Sequence, residues 1–365
     1  MKPCWQCHFF KKMNQTELRF YRKLANEVGI RSPQCYYAME DYYNMHFLCI
    51  LEDLTSFETG ENKKKESNQM GSNHFFQIKG ESSGFDLRTS EKIIENIAIL
   101  HAKFWNLDLR KHRLNGKVWS HGGYWFGGKE IRNIAIEDAW NKSNANLPEL
   151  ELAKYGELLE FLVTHENLII SAVHEFSPVT LIHGDYKITN LFVDKSNDSI
   201  YTIDWQWLGA GVGATDVAYF IYTSMREDAL SSMDVVEDSS HYQYHRKSEF
   251  DLLNIYFKKL NSLLVNQNVS ENNLLEFRVF EQQYILNVIY FFIFCIKNKY
   301  STMNKQNFQK NSDEKQDGLH LRSINHAKRL LNRAYYFSKN IDFQLLHQQR
   351  QHHHQKLEKS NSTHF

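Results

Sequence analysis

One short segment constrains this chain more than any other. It runs from Leu181 to Asn190 as L-I-H-G-D-Y-K-I-T-N, and Ile203-Asp204-Trp205-Gln206 follows. The segment places a carboxylate at Asp185, an amide at Asn190 and a second carboxylate at Asp204. Phosphoryl transfer needs such a set, in which one carboxylate accepts a hydroxyl proton and two oxygen ligands hold Mg²⁺ on the phosphates.

The pattern around these residues predicts a β-hairpin. Residues 190–194 and 200–203 are apolar, strand-like runs, and the polar residues between them favour a turn near Asn197. A hairpin centred there brings Asn190 and Asp204 together at its open end, beside Asp185. An ordinary surface hairpin with polar ends is the alternative, and it does not require this spacing.

The same residues carry a resemblance to a known family. The spacing H-x-D-x-x-x-x-N is that of a kinase catalytic loop. Together with Ile203–Gln206 and Asp216–Phe220, it resembles the aminoglycoside phosphotransferase and choline kinase superfamily, most closely its ecdysteroid kinase-like branch. Leu51–Leu54 resembles the hinge of that branch, and Ile97–Trp105 its first large-lobe helix.

The resemblance implies roles for individual residues. Asp185 would be the catalytic base, and Asn190 and Asp204 the magnesium ligands. His183 and Asp216 would brace the catalytic loop. Lys187 is either a cation that reaches the γ-phosphate or a solvated loop lysine.

The resemblance also implies how ATP is held. Adenine would lie at the hinge, against Glu52, Asp53 and Leu54. In a kinase-like small lobe, a strand lysine pairs with a helix glutamate across the phosphates. Lys2 and Glu17 are the candidates here, with Glu17 on a helix whose start Asn14 or Thr16 would cap.

The first glycine of the sequence is Gly29, so no glycine-rich hairpin precedes Lys2. We therefore expect a protein-kinase-like, two-lobed α+β fold with a truncated N-terminal lobe and a mainly helical C-terminal lobe. The expected division is a partial small lobe and hinge at 1–54, a long polar loop at 55–90, a large catalytic and substrate lobe at 91–340 and a disordered tail at 341–365.

Composition excludes some classes of partner. The 43 basic and 43 acidic residues balance, which gives no reason to expect nucleic acid or an anionic membrane. The longest apolar run, Tyr284 to Ile296, is shorter than the roughly 20 residues of a membrane span and predicts a buried helix. An odd count of 5 cysteines, without a signal peptide, predicts a reduced, cytoplasmic protein.

Two glycine-rich segments are candidate sites. Gly122 to Gly128 favours a substrate wall or an ordinary packed loop, and Gly209–Gly213 is interpreted as a flexible segment after the metal aspartate.

Cys4-Trp5-Gln6-Cys7-His8 matches a haem-attachment pattern, but no exported context or preceding strand supports it, and chance is the better interpretation.

The sequence therefore predicts an ATP- and Mg²⁺-dependent enzyme that phosphorylates a hydroxyl of a small molecule. Sterol-like, choline-like and aminoglycoside-like alcohols all remain open. The main alternative is a pseudokinase, a binding or scaffold module that lacks the glycine-rich loop. A protein kinase is less favoured, since Asp204-Trp205-Gln206 replaces D-F-G.

Overall fold

The computed structural model describes residues 5–41, 46–54, 75–76, 84–123, 133–176, 178–194, 197–226, 229, 247–303, 324–349 and 351. For residues 5–9, 75–76 and 247–248 it describes the backbone alone. The predictions for Lys2, for Cys4 and for the glycines at 127 and 128 lie outside these ranges.

The small lobe combines one helix with two strands. Helix α1 (Trp5–Arg19) continues as one wider π-helical turn, Phe20–Leu24. Strands β1 (Cys35–Asp41) and β2 (His46–Leu51) pair antiparallel. The predicted helix start was wrong: Thr16 lies inside α1, where its hydroxyl donates to the Lys12 carbonyl one turn earlier and so caps nothing.

The large lobe is mainly helical, with short strands around the predicted loop. Its elements are β3 (Phe75–Phe76), α2 (Leu87–Lys103), α3 (Ile136–Asn146), α4 (Gly156–Glu175), β4 (Thr180–Ile182), β5 (Leu191–Asp194), β6 (Ile200–Thr202), β7 (Gly209–Gly211), α5 (Ala214–Ser224), α6 (Lys247–Asn266), α7 (Phe277–Asn298) and α8 (Ile324–Ser338). These lobes give the α+β, protein-kinase-like fold class predicted from the sequence.

The hairpin that carries the site is present. Strands β5 and β6 pair antiparallel, with Leu191 opposite Thr202. Strand β3, which lies within the stretch expected to be a long loop, adds to the outer side of β5. The turn contains Asp198 in the left-handed region (φ 59°). The open end of the hairpin therefore places Asn190 beside Ile203 and Asp204.

The glycine segment after Asp204 is ordered, which corrects the prediction of a flexible stretch. Strand β7 pairs antiparallel with β4, with Ile182 opposite Gly209. A Cβ at Gly209 would lie 2.6 Å from the Cα of Gly122, and one at Gly211 would lie 2.6 Å from the Ile182 side chain. The glycines thus permit close strand packing and do not provide mobility.

Two predicted boundaries also differ. Helix α2 begins within the stretch 55–90 expected to be a long loop, and Asp86 caps it, because its Oδ1 accepts from the Thr89 backbone N–H at 2.8 Å. The expected disordered tail is helical at 343–349. Leu346 is buried there, and the preceding Asp342 forms an ion pair with Arg278, so packing orders this part of the tail.

The core centres on α7, which is buried along nearly its whole length. The stretch Glu271–Thr302 around it is long and apolar enough to cross a membrane by length and composition, but 94% of its most apolar window is buried inside the protein. The interpretation of residues 284–296 as a core helix is confirmed.

Candidate active site

Asp185 lies in the loop between β4 and β5, and its side chain is only 2% exposed. Its two carboxylate oxygens have different surroundings. Lys187 Nζ donates to Oδ2 at 2.8 Å, and Asn190 Nδ2 approaches the same oxygen at 3.2 Å. Oδ1 is buried and has no hydrogen-bond partner among the described residues. An unpaired buried acceptor is costly, so Oδ1 marks the place where a ligand proton or a cation would be favoured.

The sequence allows two interpretations of Lys187, as a cation of the site or as a solvated loop lysine, and its contacts distinguish between them. Its side chain is 16% exposed and belongs to the ion pair with Asp185, so it is not a freely solvated loop lysine. Its ammonium group therefore lies within the site, where it can face both Asp185 and a ligand.

His183 connects the loop to the end of β6. Its Nε2 lies 3.0 Å from the Ile203 carbonyl oxygen, while the Asp185 backbone N–H donates to its Nδ1 at 3.2 Å. Since the carbonyl can only accept, Nε2 carries the proton and the ring is neutral. Burial lowers the pKa of His183, which agrees with that state.

Asp216, on α5, holds the loop from below. Its carboxylate accepts the backbone N–H groups of His183 and Gly184, each at 2.8 Å, and approaches His101 Nε2 at 3.2 Å. The hydroxyl of Tyr256 lies 2.8 Å from the other nitrogen of His101. These are the contacts of a bracing residue. The sequence showed no signal for the roles of His101 and Tyr256.

Gly184 permits the tight path of the loop. It has a φ of +82°, and a Cβ there would lie 2.5 Å from the backbone nitrogen of Gly123. Gly123 in turn donates its N–H to the Trp207 carbonyl at 3.2 Å. Two backbone segments therefore meet directly beside Asp185, and no side chain fits between them.

Asn190 and Asp204 lie together at the open end of the hairpin. The Ile203 N–H donates to the Asn190 carbonyl at 3.0 Å, and Asn190 Nδ2 donates to the Asp185 carbonyl at 2.8 Å. Asp204 has φ 64° and ψ 62°, the left-handed region that Asn and Asp tolerate best among non-glycine residues. Orienting the Asn190 nitrogen toward Asp185 turns its amide oxygen the other way. That oxygen accepts from the Thr189 hydroxyl at 3.4 Å and keeps a second lone pair for another ligand.

Glu17, Asp185 and Asp204 form an acid cluster. The pKa of Asp204 is raised to about 7, first because it is buried and then because Asp185 and Glu17 are nearby, while Lys187 opposes the shift. Like charges held in a poorly solvated place destabilise one another. A divalent cation would relieve that repulsion.

The residues present fit a Mg²⁺ ion bound together with a nucleotide. No group of three or more His, Cys, Asp or Glu side chains among the described residues could hold a metal by itself. Mg²⁺ does not require one, because it commonly uses one or two carboxylates and completes its shell with water and phosphate oxygens. Asn190 Oδ1 and the Asp204 carboxylate would be the protein ligands.

Glu17 contacts the turn that carries Asp204. The backbone N–H of Trp205 donates to its carboxylate, and burial raises the pKa of Glu17. Phe20 stacks on Trp205 with ring centroids 3.8 Å apart and the planes 11° from parallel. Helix α1 and the turn that continues it are thus docked on the residue that follows Asp204. The pairing of Glu17 with Lys2 stays a prediction.

Glu52, one of the predicted hinge residues, borders a cavity of about 730 Å³, the candidate nucleotide cavity, whose lining also includes Tyr21, Arg31, Cys35 and Tyr201. Glu52 fixes one side, since its Oε2 accepts from the Gln34 N–H at 3.1 Å. Asp53 is exposed and Leu54 is buried. Their roles toward adenine stay predictions.

A second cavity of about 390 Å³ lies on the large lobe, and Gly122, His174 and Thr215 are among its lining residues. Gly122 precedes the residue that packs on Gly184, and Thr215 precedes Asp216. This space therefore begins near the catalytic loop and extends along β7.

Taken together, the two lobes and the loop that Asp216 holds define a kinase-like fold. Residues 141–268 match the model of the ecdysteroid kinase-like family. That match confirms the resemblance predicted from the sequence. No curated protein matches the chain.

Several solved structures are similar to this chain. A choline kinase of Streptococcus pneumoniae is 11% identical, covers 89% of this chain and 82% of its own, and has a TM-score of 0.39. An ethanolamine kinase of Plasmodium vivax is 15% identical, with coverages of 83% and 71% and a TM-score of 0.37. An aminoglycoside phosphotransferase, solved with ADP and hygromycin B, is 10% identical, with coverages of 90% and 82% and a TM-score of 0.38.

Proposed function

We propose that this protein transfers the γ-phosphoryl group of ATP to a hydroxyl group of a small molecule, with Mg²⁺. The observation that carries the proposal is the arrangement of Asp185, whose buried Oδ1 has no hydrogen-bond partner among the described residues, beside Asn190 and Asp204. The match to the ecdysteroid kinase-like family supports a small-molecule acceptor.

The residues of the site have distinct roles in this reaction. Asp185 Oδ1 accepts the proton of the acceptor hydroxyl as its oxygen attacks the γ-phosphorus and the bond to the ADP oxygen breaks. His183 and Asp216 keep the loop in place, so that the base needs no reorganisation during the reaction. Lys187 supplies positive charge next to the transferred group.

Asn190 and Asp204 would hold Mg²⁺, which would neutralise charge on the phosphates. Glu17 and Phe20 keep the Trp205 turn, and with it Asp204, against α1. ATP would occupy the candidate nucleotide cavity beside Glu52. The acceptor would approach from the side of Gly123.

The test measures ATP binding by calorimetry, with and without Mg²⁺, in the wild type and in Asp204→Asn. Asn tolerates the left-handed backbone of Asp204, so the substitution removes charge without adding strain. We expect Mg²⁺ to tighten ATP binding in the wild type and to lose that effect in the variant. Asp198→Asn is the matched control, since it makes the same change at an exposed left-handed position of the same hairpin.

A second arm measures phosphate transfer to a panel of alcohols in Asp185→Asn. This variant should retain the magnesium effect on ATP binding and lose turnover by about 10²-fold or more, the scale of a lost general base. Turnover close to that of the wild type would remove Asp185 from the mechanism. Magnesium-dependent ATP binding by the wild type without any transfer would instead support the pseudokinase alternative.

A further inference from the structure

Two cysteines of the small lobe lie on the same face of the β1–β2 pair. Cys49 is opposite Ala38, and Cys35 is opposite Leu51. The register shifts between Cys35 and Tyr37, so that Tyr36 is an extra residue on its strand, and its side chain is 62% exposed. Without this bulge, Cys35 would share the outer face with Tyr37, because successive side chains alternate.

The bulge brings the two sulfur atoms to 4.0 Å, with both side chains half-buried. Disulfide bonds have a length of about 2.05 Å, so each sulfur has to move by about 1 Å, within the range of a side-chain rotation. We propose that Cys35 and Cys49 are an oxidation site, in which an intramolecular disulfide forms across the wall of the candidate nucleotide cavity.

The reaction balances with a low-molecular-weight disulfide, such as oxidised glutathione, as the oxidant. The thiolate of Cys35 attacks one sulfur of the reagent and displaces one thiolate. Cys49 then loses its proton to water and attacks the Cys35 sulfur, displacing the second thiolate. Two protein thiols are oxidised, and one reagent disulfide is reduced to two thiols.

The surroundings of Cys35 and Cys49 determine which thiol reacts first. Cys35 lines the open cavity, so a reagent reaches it first. The pKa of Cys49 is raised to about 12, first by burial and then by Cys35 and Glu17, so Cys49 stays protonated and acts second. Its closeness to Cys35 compensates for its low reactivity, because an intramolecular attack proceeds at a high effective concentration.

Cys35 borders the proposed ATP site, with Cys49 behind it, and this part of the inference rests on the proposed function. Cys35 shares the cavity wall with Glu52, and Cys49 interacts electrostatically with Glu17 and Tyr21. A nucleotide in the cavity would therefore cover Cys35. The bond would also close the strand pair at the end that leads into the hinge.

The test incubates the full chain in oxidised and reduced glutathione mixtures, quenches with an alkylating reagent and maps the peptides by mass spectrometry. We expect a cross-linked peptide pair joining Cys35 to Cys49, lighter by two hydrogens than the reduced pair and absent from Cys35→Ser and Cys49→Ser. Buried Cys295 should stay unlabelled, which checks that the chain is folded. Two free alkylated thiols, or glutathione attached to Cys35 without the cross-link, would overturn the proposal.

A parallel arm measures the rate of Cys35 alkylation in the reduced protein, with and without ATP and Mg²⁺. Protection by at least about threefold supports the position of the cysteines beside the nucleotide. If the disulfide forms and ATP gives no protection, the oxidation site stands, and the link to an ATP site at this cavity is wrong.

Discussion

At the scale of single residues, the catalytic loop separates the two oxygens of one carboxylate. Asp185 Oδ2 is held by Lys187 and approached by Asn190, while Oδ1 has no hydrogen-bond partner among the described residues. In the proposed reaction, a base oriented in this way would present one defined lone pair to the acceptor. The same ion pair would keep a positive charge where negative charge develops during transfer.

Lys187→Met should therefore lower turnover by about 10²-fold, the scale of one lost electrostatic contact to a transition state. ATP affinity should change much less, because the charge is needed most as the phosphoryl group moves. Steady-state kinetics with the best acceptor, together with calorimetry, separates the two effects. Lys92→Met, which removes a lysine paired with the exposed Asp198, is the control and should leave both unchanged.

Equal losses of turnover in the Lys187 and Lys92 variants would show that the position of Lys187 has no special role. A loss confined to ATP affinity would place its ammonium on the bound nucleotide and not on the group in transfer.

Much of the site could be predicted at this scale. The order of Asp185, Asn190 and Asp204 placed three groups within one hairpin and its preceding loop, where local geometry fixes their distances. His101 and Tyr256 could not be found in this way. His101 contacts Asp216 and Tyr256 contacts His101 from helices far away in the sequence, and only the packing of α2, α5 and α6 brings them together.

At the scale of elements, the catalytic loop depends on the close approach of two backbone segments. Gly184→Ala would place a Cβ 2.5 Å from the Gly123 nitrogen and would also strain a φ of +82°. We expect a loss of stability well above the 1–2 kcal/mol of the strained backbone alone, and a loss of turnover because Asp185 follows directly. Urea unfolding and the transfer assay measure the two effects.

Gly116→Ala separates the steric clash from the backbone strain as causes of the loss of stability. Gly116 also has a positive φ, +70°, but a Cβ there would meet nothing within 4 Å. This variant should lose only about 1–2 kcal/mol and keep its activity. If the two alanine variants behave alike, the close approach at Gly184 contributes nothing.

Elements with a strong local pattern were predicted well, and those set by distant contacts were not. The hairpin β5–β6 follows from two apolar, strand-like runs around a polar turn. Gly209–Gly211 has the composition of a loop, yet it forms a strand because β4 and Gly122 lie close enough to require glycine. Residues 343–349 lie in the stretch expected to be a disordered tail, and the burial of Leu346 orders them.

At the scale of the whole molecule, stability should depend on pH through a half-buried imidazole. The pKa of His174 is lowered to about 4, first by burial and then by His121, whose ring centroid lies 4.8 Å away. As the pH falls below 6.5, His174 binds a proton in the unfolded chain, whereas in the folded chain it stays neutral until about pH 4. Stability from this group is therefore complete above pH 6.5 and is lost as the pH falls through that window.

His174→Phe keeps a ring and removes the titration. The free energy of unfolding of this variant should fall less between pH 7 and pH 4 than that of the wild type, by up to about 3 kcal/mol. Urea unfolding at several pH values measures the difference. His174→Gln should flatten the profile in the same way, since it also lacks the proton, even if its packing is poorer. Parallel pH profiles in all three proteins would contradict the assignment.

The stack of Phe20 on Trp205 has a kinetic meaning beyond the stability it contributes. Both rings are fully buried, and Trp205 follows directly after Asp204. Any motion that separates the lobes along α1 must first separate these rings and expose them to water. The same motion breaks the contact of Glu17 with the Trp205 backbone. In the proposed reaction, opening of the cleft and loss of the Asp204 turn would therefore be one event, so that this pair of aromatic rings would limit both the rate of nucleotide exchange and the integrity of the site.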